Sequence, residues 1–481
     1  KKSILNIIFF LVFTILSIIF LKNYHFTNEN LPSRNGDDAA YFNTAFNIDR
    51  FNIASHQVEE FRVYTHKNVI KPPFYSFLLS IFINTDKKYE NVTLECIYNK
   101  PIKDICFEFV QNSKSFNLII HYIHVLVLYL VIFKITKNYS LSFLGSFLLL
   151  SSTYFLKTTN DFMTESLSTI LMLIHSSCIY FLFTSERFKY FYVIVSSISL
   201  GCLILTKAIF LYWFYFIIMI YFFFIVFKKI FIFKKRNPPN FIYFFNIRYL
   251  FIKVIIILVL LVPWQTRNFL EAGEFKISLQ GGNVIAERAE YLKTDINDIK
   301  YGIIYYIPSE SLRLLFKNEL KKKTFMFDEG HPNSHYRNSD DFEKSFVLSK
   351  LNWEDKNKPD KVFEKSLELI LIEPVKHLYL SLMFYVRGIF HGTIISEYPK
   401  LLQYTSSIIH WSSSIALPLI FLFTLISKNK ILILTIPSIF IILCYSFFTD
   451  FESRYGTVTI SSFILIFMIL INNMLYKIKN E

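Results

Sequence analysis

Two adjacent carboxylates, Asp37 and Asp38, lie in the stretch NGDDAAYFNTA, shortly after an apolar segment long enough to cross a membrane. Carboxylates near a bilayer are costly to desolvate, so their presence there favours a functional or water-filled site. A carboxylate can accept the proton of an acceptor hydroxyl or amine and so improve that group as a nucleophile. Neighbouring carboxylates rarely titrate alike, and one of the two can take a structural role instead.

Further charged residues lie near the ends of apolar segments. Lysine and arginine can hold a phosphate that departs with its negative charge. Each of these residues alone fits ordinary interfacial decoration, but together they are predicted to meet on one face of the membrane. This convergence favours group transfer at a membrane surface. The full set is Asp37, Asp38, Lys71, Asp161, Glu165, Lys207, Arg267, Asp450, Glu452 and Arg454.

The composition is that of a polytopic helical membrane protein. The 481 residues are 53% hydrophobic and 19% aromatic, with a mean hydropathy of +0.39. Apolar residues are grouped in nearly uncharged blocks of about the length that spans the hydrocarbon of a bilayer. The net charge of +14 lies mainly in short loops such as 228–248, which is a topology signal and does not predict nucleic-acid binding.

Ten segments are predicted to span the membrane. They are 4–21, 116–134, 139–156, 166–184, 188–205, 208–227, 249–265, 405–426, 431–448 and 459–476. The first is expected to be an uncleaved span, because no small-residue cleavage site follows it. Placing the basic loops inside requires that 377–395 does not cross, so we predict that it lies in the interface. The short apolar piece 74–83 is predicted to be interfacial or re-entrant.

Three regions follow from this topology. Residues 1–265 form a catalytic membrane module with a first outer loop at 22–115, and residues 266–376 form a large extracytoplasmic region. Residues 377–481 contain the interfacial segment and the last spans. The large region is nearly neutral, and we expect local helices in it, one after Ser309 and another at about 359–372.

Cysteine and histidine residues offer two further interpretations. Cys96 and Cys106 can form a disulfide if their loop faces an oxidising compartment, whereas the other three cysteines lie in apolar segments. His331 and His335 have a spacing that can bind a metal, but a solvated loop is the favoured interpretation. No metal and no other cofactor is indicated. The absence of a P-loop or dinucleotide motif disfavours a nucleotide-sugar donor.

The motifs GDDAAY, KPPFYSFLL, MTES, LTKA, PWQTRN and ESRY occur in an order that resembles the GT-C superfamily. This superfamily comprises glycosyltransferases that use polyprenyl-phosphate sugars. The similarity is greatest to the bacterial branch of the protein mannosyltransferases and the lipid A aminoarabinose transferase, and it covers almost the whole chain. It implies an all-α membrane fold of about ten transmembrane helices, with interfacial helices and a large extracytoplasmic loop.

The resemblance also implies roles for individual residues. Asp37, four residues before Tyr41, matches the presumed base, with Asp38 in place of the usual glutamate and Glu165 as a supporting acid. The residues that match the basic positions of the family, and so are candidates for the carrier phosphate, are Lys71, Lys207, Arg267 and Arg454. Arg454 and Tyr455 match a late Arg-Tyr pair whose usual following proline is absent here.

The resulting hypothesis is a membrane glycosyltransferase that moves a sugar from a polyprenyl-phosphate carrier to a lipid, glycan or protein acceptor. By resemblance, it would act at the outer face of a bacterial inner membrane. Its partners would be membrane lipid and the carrier-linked sugar, with no nucleic acid. One alternative is a transporter or flippase for a lipid-linked or anionic solute, although no inverted repeat is visible. Another is a protein that only binds lipid phosphate.

Overall fold

The computed structural model describes most of the chain. The described residues are 2–25, 31–32, 36–56, 71–83, 87–99, 102–233, 246–328, 330–339, 344–356, 358–392, 397–427, 429–449 and 451–480. In these ranges the long elements are all α-helices, joined by turns and short 3₁₀ segments. The predicted all-α class is therefore confirmed for this part of the chain.

The first half of the chain contains eleven α-helices within the described ranges. They are α1 (Lys2–His25), α2 (Asp37–Phe51), α3 (Phe74–Ile83), α4 (Leu94–Tyr98), α5 (Asp104–Thr136), α6 (Tyr139–Leu150), α7 (Thr153–Thr159), α8 (Glu165–Thr184), α9 (Lys189–Ile204), α10 (Phe210–Phe233) and α11 (Ile247–Ala272). Polar side chains fix several of their starts: the Asn138 side chain accepts a hydrogen bond from the Leu141 amide at the beginning of α6.

The second half contains eleven more among the described residues. They are α12 (Gly281–Glu290), α13 (Ile299–Tyr306), α14 (Glu310–Leu315), α15 (Lys317–Lys323), α16 (His335–Ser339), α17 (Pro359–Ile372), α18 (Pro374–Phe390), α19 (Lys400–Ile426), α20 (Leu432–Phe448), α21 (Ser453–Gly456) and α22 (Ile460–Asn480). The helix predicted after Ser309 is present as α14, capped by the Ser309 hydroxyl. The helix predicted at 359–372 is α17.

Nine of the ten predicted spans each fall on one helix, whereas 139–156 covers α6 and the start of α7. Fewer helices meet the length and hydropathy expected of a membrane crossing. Among the described residues, five do so: Asp104–Thr136, Glu165–Thr184, Ile247–Ala272, Lys400–Ile426 and Arg454–Lys479. The number rises to seven if two bent helix pairs, α6 with α7 and α17 with α18, each count as one span. The chain is thus an integral membrane protein, and the figure of ten spans remains a prediction.

The break between α17 and α18 bears on the segment predicted to lie in the interface. The two helices are bent by 103° relative to each other. The bend occurs at Pro374, which cannot donate the next helical hydrogen bond but suits the first turn of a new helix. Residues 377–390 continue in α18, whereas 393–396 lie outside the described residues. The interfacial placement of 377–395, like that of α3, remains a prediction.

The region 266–376 shares its hydrophobic core with the membrane helices. Tyr291 and Tyr306 from this region are buried in one cluster with Trp213 of α10, Phe384 of α18 and Tyr445 of α20. The three-region division of the chain stays a prediction, but packing of this kind ties the region to the helices beside it. Movement of α12 or α13 would disturb the surroundings of α18 and α20.

Helix α2 is held along its length by polar contacts from the first loop. The Tyr98 hydroxyl donates to Asn43 Oδ1 (2.8 Å), and the Arg50 guanidinium donates to the Tyr89 carbonyl (2.7 Å). Tyr98 lies in a loop that is closed by a disulfide between Cys96 and Cys106, whose Cα atoms are 6.2 Å apart. The pairing that the sequence left open is therefore present in the structure, and it braces the helix that carries Asp37.

Removing this disulfide is expected to lower stability. Replacing both Cys96 and Cys106 with serine should lower the free energy of unfolding by about 2–4 kcal/mol, because the unfolded chain regains the freedom of the closed loop. Thermal unfolding in detergent, with and without reductant, measures the effect. Reductant should shift the wild type toward the variant and leave the variant unchanged. An identical midpoint for all samples would contradict a stabilising bridge.

Candidate functional site

Asp37 lies between two cations at the start of α2. Its Oδ1 is 2.7 Å from Lys71 Nζ, and its Oδ2 is 3.2 Å from Arg454 Nη1. Burial raises the pKa of the Asp37 carboxyl, but Lys71 and Arg454 together outweigh burial and hold this pKa below its usual value. Asp37 is therefore ionised near neutral pH. The site brings together three residues that the sequence predicted from separate motifs.

Lys71 is fixed by the proline pair that follows it. Pro72 and Pro73 restrict the backbone ahead of α3, and the Phe74 amide donates to the Leu205 carbonyl at the end of α9 (2.9 Å). The Lys71 side chain is nearly buried, with its ammonium 5.9 Å from the centre of the Tyr41 ring. Besides Asp37, it donates to the side-chain carbonyl of Gln280 (3.1 Å).

Arg454 is held in place by its own neighbours in sequence. Its guanidinium pairs with Glu452 and donates to the Tyr455 hydroxyl (3.1 Å). Gly456 takes the place of the proline expected by resemblance, and its φ of −68° is the value that a proline would impose. The missing proline therefore leaves the local backbone in the geometry that a proline would favour. Asp450, which the sequence grouped with these residues, lies outside the described residues.

The close approach of α18 also positions the Arg454 turn. A Cβ atom at Gly388 would lie 2.5 Å from the Phe451 ring, so only glycine allows this contact. The His410 ring donates through Nε2 to the Gly388 carbonyl (3.3 Å) and packs beside Gly456. The turn that carries Arg454 is thus bounded by α18 and α19. This positioning depends on helices that are distant in sequence.

Asp38 belongs to a different group from Asp37. Successive residues of a helix point about 100° apart, and Asp38 acts electrostatically on Asp161 and on the buried Lys114 of α5. Burial raises the pKa of the Asp161 carboxyl; Asp38 adds to the rise, while Lys157 and Lys114 oppose it. The Asn117 amide donates to the Asp161 carbonyl (2.6 Å). The two adjacent carboxylates therefore have separate surroundings.

Glu165 and Lys207 form a second, more deeply buried ion pair. Lys207 Nζ is 3.0 Å from Glu165 Oε1, and both side chains are almost fully buried. The ammonium of Lys207 lies 5.1 Å from the centre of the Tyr455 ring, whose hydroxyl accepts from Arg454. Tyr455 therefore lies between this pair and the cations around Asp37. Within the described residues, Glu165 Oε2 has no hydrogen-bond partner.

Arg267 has partners of another kind. Its guanidinium donates to the Ala54 carbonyl after α2 (3.1 Å) and to Asn268 Oδ1 (3.0 Å), and it lies 4.6 Å from the centre of the Trp264 ring. These contacts link the end of α11 to the backbone that follows α2. The assignment of Arg267 to the carrier phosphate remains a prediction. The contacts described for Arg267 are with Ala54, Asn268 and Trp264, and they do not include Asp37.

Sequence reasoning missed two residues of the site. Gln280 lies in a region without a readable motif, and only its contact with Lys71 reveals it. Lys114 precedes a predicted span, but it shares one helical face with Asn117 and His121, a spacing of three and seven residues. This row of polar residues in an otherwise apolar helix is the sequence feature that could have indicated Lys114.

His331 and His335, whose spacing could bind a metal, have different hydrogen-bond partners in the structure. His335 is buried and bonds through Nε2 to Thr294 Oγ1 (2.8 Å), and burial lowers the pKa of its imidazole to about 4 with a contribution from Lys293. His331 accepts from the Asn333 amide and packs on Phe325. In the part of the chain that the structure describes, no group of three or more His, Cys, Asp or Glu side chains is placed to hold a metal.

A buried lysine lies among the membrane helices, away from these groups. Lys253 of α11 donates to Ser196 Oγ of α9 (3.2 Å), which is 3.0 Å from His175 Nδ1; the Trp213 indole donates to the other nitrogen of this ring (3.0 Å). No carboxylate pairs with Lys253 within the described ranges, although its side chain is almost fully buried. An ionisable residue inside a membrane is costly and often functional.

Replacing Lys253 with methionine tests whether its buried ammonium is needed for activity. For a glycosyltransferase whose chemistry lies at Asp37, the variant should be more stable by about 2 kcal/mol, because an ammonium at this depth is costly, and should retain activity. Thermal unfolding and sugar transfer are the measurements. Lys300→Met, at an exposed lysine, serves as the control and should change neither. Loss of transfer in a folded Lys253→Met protein would contradict this expectation and give Lys253 a part in the reaction.

Comparison with known proteins gives likenesses of fold alone. No protein-family model and no curated protein matches the chain. Among solved structures, ArnT from Cupriavidus metallidurans in the apo state is similar at 9% identity over 98% of this chain and 78% of that chain, with a TM-score of 0.37. The same protein bound to undecaprenyl phosphate gives 9% identity, coverage of 96% and 77%, and the same TM-score.

The archaeal oligosaccharyltransferase AglB from Archaeoglobus fulgidus, in complex with an inhibitory peptide and a dolichol-phosphate, is also similar. The identity is 10% over 98% of this chain, with a TM-score of 0.45. This chain spans about half of the AglB chain, 51% of its length.

Proposed function

We propose that this protein is an integral-membrane glycosyltransferase that transfers a sugar from a polyprenyl-phosphate carrier to an extracytoplasmic acceptor. The observation that carries the proposal is the position of Asp37, whose two carboxylate oxygens are held by Lys71 and Arg454. A base and two phosphate-binding cations are the groups that such a transfer requires. The motif order that resembles the GT-C superfamily supports the same assignment.

Asp37 pairs with the two cations that a carrier phosphate would use. A carrier phosphate is an anion, so it would compete with Asp37 for Lys71 and Arg454. As the cations turn toward the phosphate, the carboxylate would lose the interactions that lower its pKa and become a stronger base. Binding of the donor would thereby prepare Asp37 for its role.

The transfer step then follows from these positions. An acceptor hydroxyl oxygen forms a bond to the anomeric carbon while the bond from that carbon to the phosphate oxygen breaks. The hydroxyl proton passes to Asp37, and the phosphate leaves with the electron pair, stabilised by Lys71 and Arg454. Attack opposite the leaving group inverts the anomeric carbon. Glu165 and Lys207 would support Arg454 through Tyr455.

Residues of the second carboxylate group have a supporting role in this proposal. Asp38 and Asp161 interact electrostatically with each other and with the buried Lys114. Burial raises the pKa of the Asp161 carboxyl, and the Asp38 carboxylate adds to the rise. The extracytoplasmic orientation of the site is part of the proposal. The experiment below identifies the donor sugar.

The test is direct transfer by the purified protein in detergent. Radiolabelled sugars on synthetic polyprenyl phosphates, both hexoses and pentoses, would be supplied as donors, and a membrane extract of the source cells as acceptor. Undecaprenyl phosphate is the first carrier to use. We expect label to move from at least one donor into the extract. If a folded protein releases sugar from none of them, the proposal fails and transport of the same lipids in liposomes becomes the next measurement.

A further inference from the structure

Gln280 connects the region 266–376 with the cations of the site. Its Oε1 accepts a hydrogen bond from Lys71 Nζ (3.1 Å), and the same ammonium donates to Asp37 Oδ1 (2.7 Å). Lys71 and Asp37 come from the first loop, whereas Gln280 immediately precedes α12. The ammonium is therefore held between a charged acceptor from one region and a neutral acceptor from another.

The backbone ahead of Gln280 is fixed by the end of α11. The Trp264 indole donates to the Ile277 carbonyl (2.9 Å), and the Asn268 amide donates to the Lys276 carbonyl (2.8 Å). The Gln280 amide in turn donates to Ser278 Oγ (3.2 Å). The PWQTRN stretch thus holds the segment that delivers Gln280 to Lys71. Gln280 does not depend on a flexible loop for its position.

The two acceptors of Lys71 differ in what happens when an anion arrives. A phosphate can displace the Asp37 carboxylate, because both are anions that compete for the same charge. The Gln280 carbonyl carries no charge and need not be displaced. It can keep the ammonium in place while Lys71 exchanges Asp37 for the phosphate. Without this anchor, Lys71 would lose a neutral acceptor and would leave Asp37 less readily.

We propose that Gln280 is a positioning residue for Lys71, through which the region 266–376 sets the affinity of the site for the carrier phosphate. This inference rests on the proposed function. In this scheme the region 266–376, which has no readable motif, contributes to donor binding. The Trp264 and Asn268 contacts help to position Gln280. Gln280 touches neither the reacting carbon nor the acceptor in this scheme, so its loss should affect binding more than chemistry.

The expected effects follow from the type of hydrogen bond. Gln280→Ala should raise the KM for the donor about tenfold, the loss typical of a bond to a charged group, with kcat within about twofold of wild type. Gln280→Asn is one methylene shorter and should behave like the alanine variant. Gln280→Glu should raise KM further, about a hundredfold, because a second carboxylate would compete with the phosphate for Lys71.

Affinity for undecaprenyl phosphate, measured by thermal shift in detergent, gives a readout that does not need turnover. Asn297→Asp, at an exposed amide of the same region, adds the same charge as Gln280→Glu and should leave both KM and the shift unchanged. Equal affinity and KM in wild type and all three Gln280 variants would overturn the inference, as would a fall in kcat with KM unchanged. A folded wild type that neither binds the lipid nor transfers sugar would overturn the proposed function itself.

Discussion

Replacing Asp37 with asparagine should abolish sugar transfer while leaving the protein folded. We expect kcat/KM to fall by about 10³-fold, within the range that a general base contributes. Asparagine keeps the shape of the side chain but cannot take the acceptor proton. Transfer from the donor that is active with wild type measures the change. Wild-type rates in the variant would remove Asp37 from the mechanism.

The same substitution should strengthen binding of the carrier phosphate. Lys71 and Arg454, which lie 2.7 Å and 3.2 Å from Asp37, would no longer be neutralised by a carboxylate. We expect affinity for undecaprenyl phosphate to rise about tenfold, since a charge-assisted contact of roughly 1.4 kcal/mol no longer has to be exchanged. A loss of transfer combined with weaker lipid binding would contradict the proposed competition.

Asp49 provides the matched control for this experiment. It lies at the far end of the same helix, and its carboxylate pairs with Arg50 at 3.3 Å. Burial raises the pKa of Asp49, with Arg50 opposing the rise, so a neutral side chain is tolerated there. Asp49→Asn should therefore keep both transfer and lipid affinity. A change as large as that of Asp37→Asn would indicate a general disturbance of α2.

Breaking the buried pair of Glu165 and Lys207 should have the largest effect on stability. We expect Lys207→Met to lower the free energy of unfolding by about 3–5 kcal/mol, because it leaves the Glu165 carboxylate buried without its cation. The double variant Glu165→Gln with Lys207→Met removes both charges and should regain most of this loss. Chemical or thermal unfolding of the purified proteins in one detergent gives the comparison.

An exposed ion pair shows what burial contributes to this effect. Lys276 and Asp360 form a contact in which both side chains are largely exposed, so Lys276→Met should change stability by no more than about 1 kcal/mol. If Lys207→Met were as mild as this control, the pair would not be desolvated in solution. Sugar transfer by the double variant then shows the role of the Glu165–Lys207 pair. Retained transfer would make the pair structural, whereas lost transfer would assign it to the chemistry.

Local sequence features were sufficient for much of the secondary structure. Apolar blocks predicted the helices, the Ser309 hydroxyl predicted the start of α14, and Pro359 and Pro374 match the starts of α17 and α18. These features act over a few residues: a cap satisfies nearby amides, and a proline interrupts or begins a helix. Membrane crossing was less predictable, because α9 and α20 are apolar helices shorter than a full span.

Local sequence features predicted the candidate site only in part. Charged residues beside apolar segments attract notice wherever they occur, because their desolvation is costly, and this found Asp37, Lys71 and Arg454 individually. Nothing in the sequence paired them. The contact between Asp37 and Arg454 joins the start of α2 to the turn before α22, and it depends on how α18 packs against Phe451.

The amino-acid sequence therefore fixes the inventory of helices, caps and charged groups, since each follows from residue type and from neighbours along the chain. Folding in three dimensions decides the partners. It turns Asp37 toward Lys71 and Arg454 and places Asp38 in the electrostatic range of Lys114, and it brings Gln280 to the Lys71 ammonium. The physical reason is range: a helix is specified over a few residues, whereas an ion pair requires side chains from distant segments to be packed within hydrogen-bonding distance.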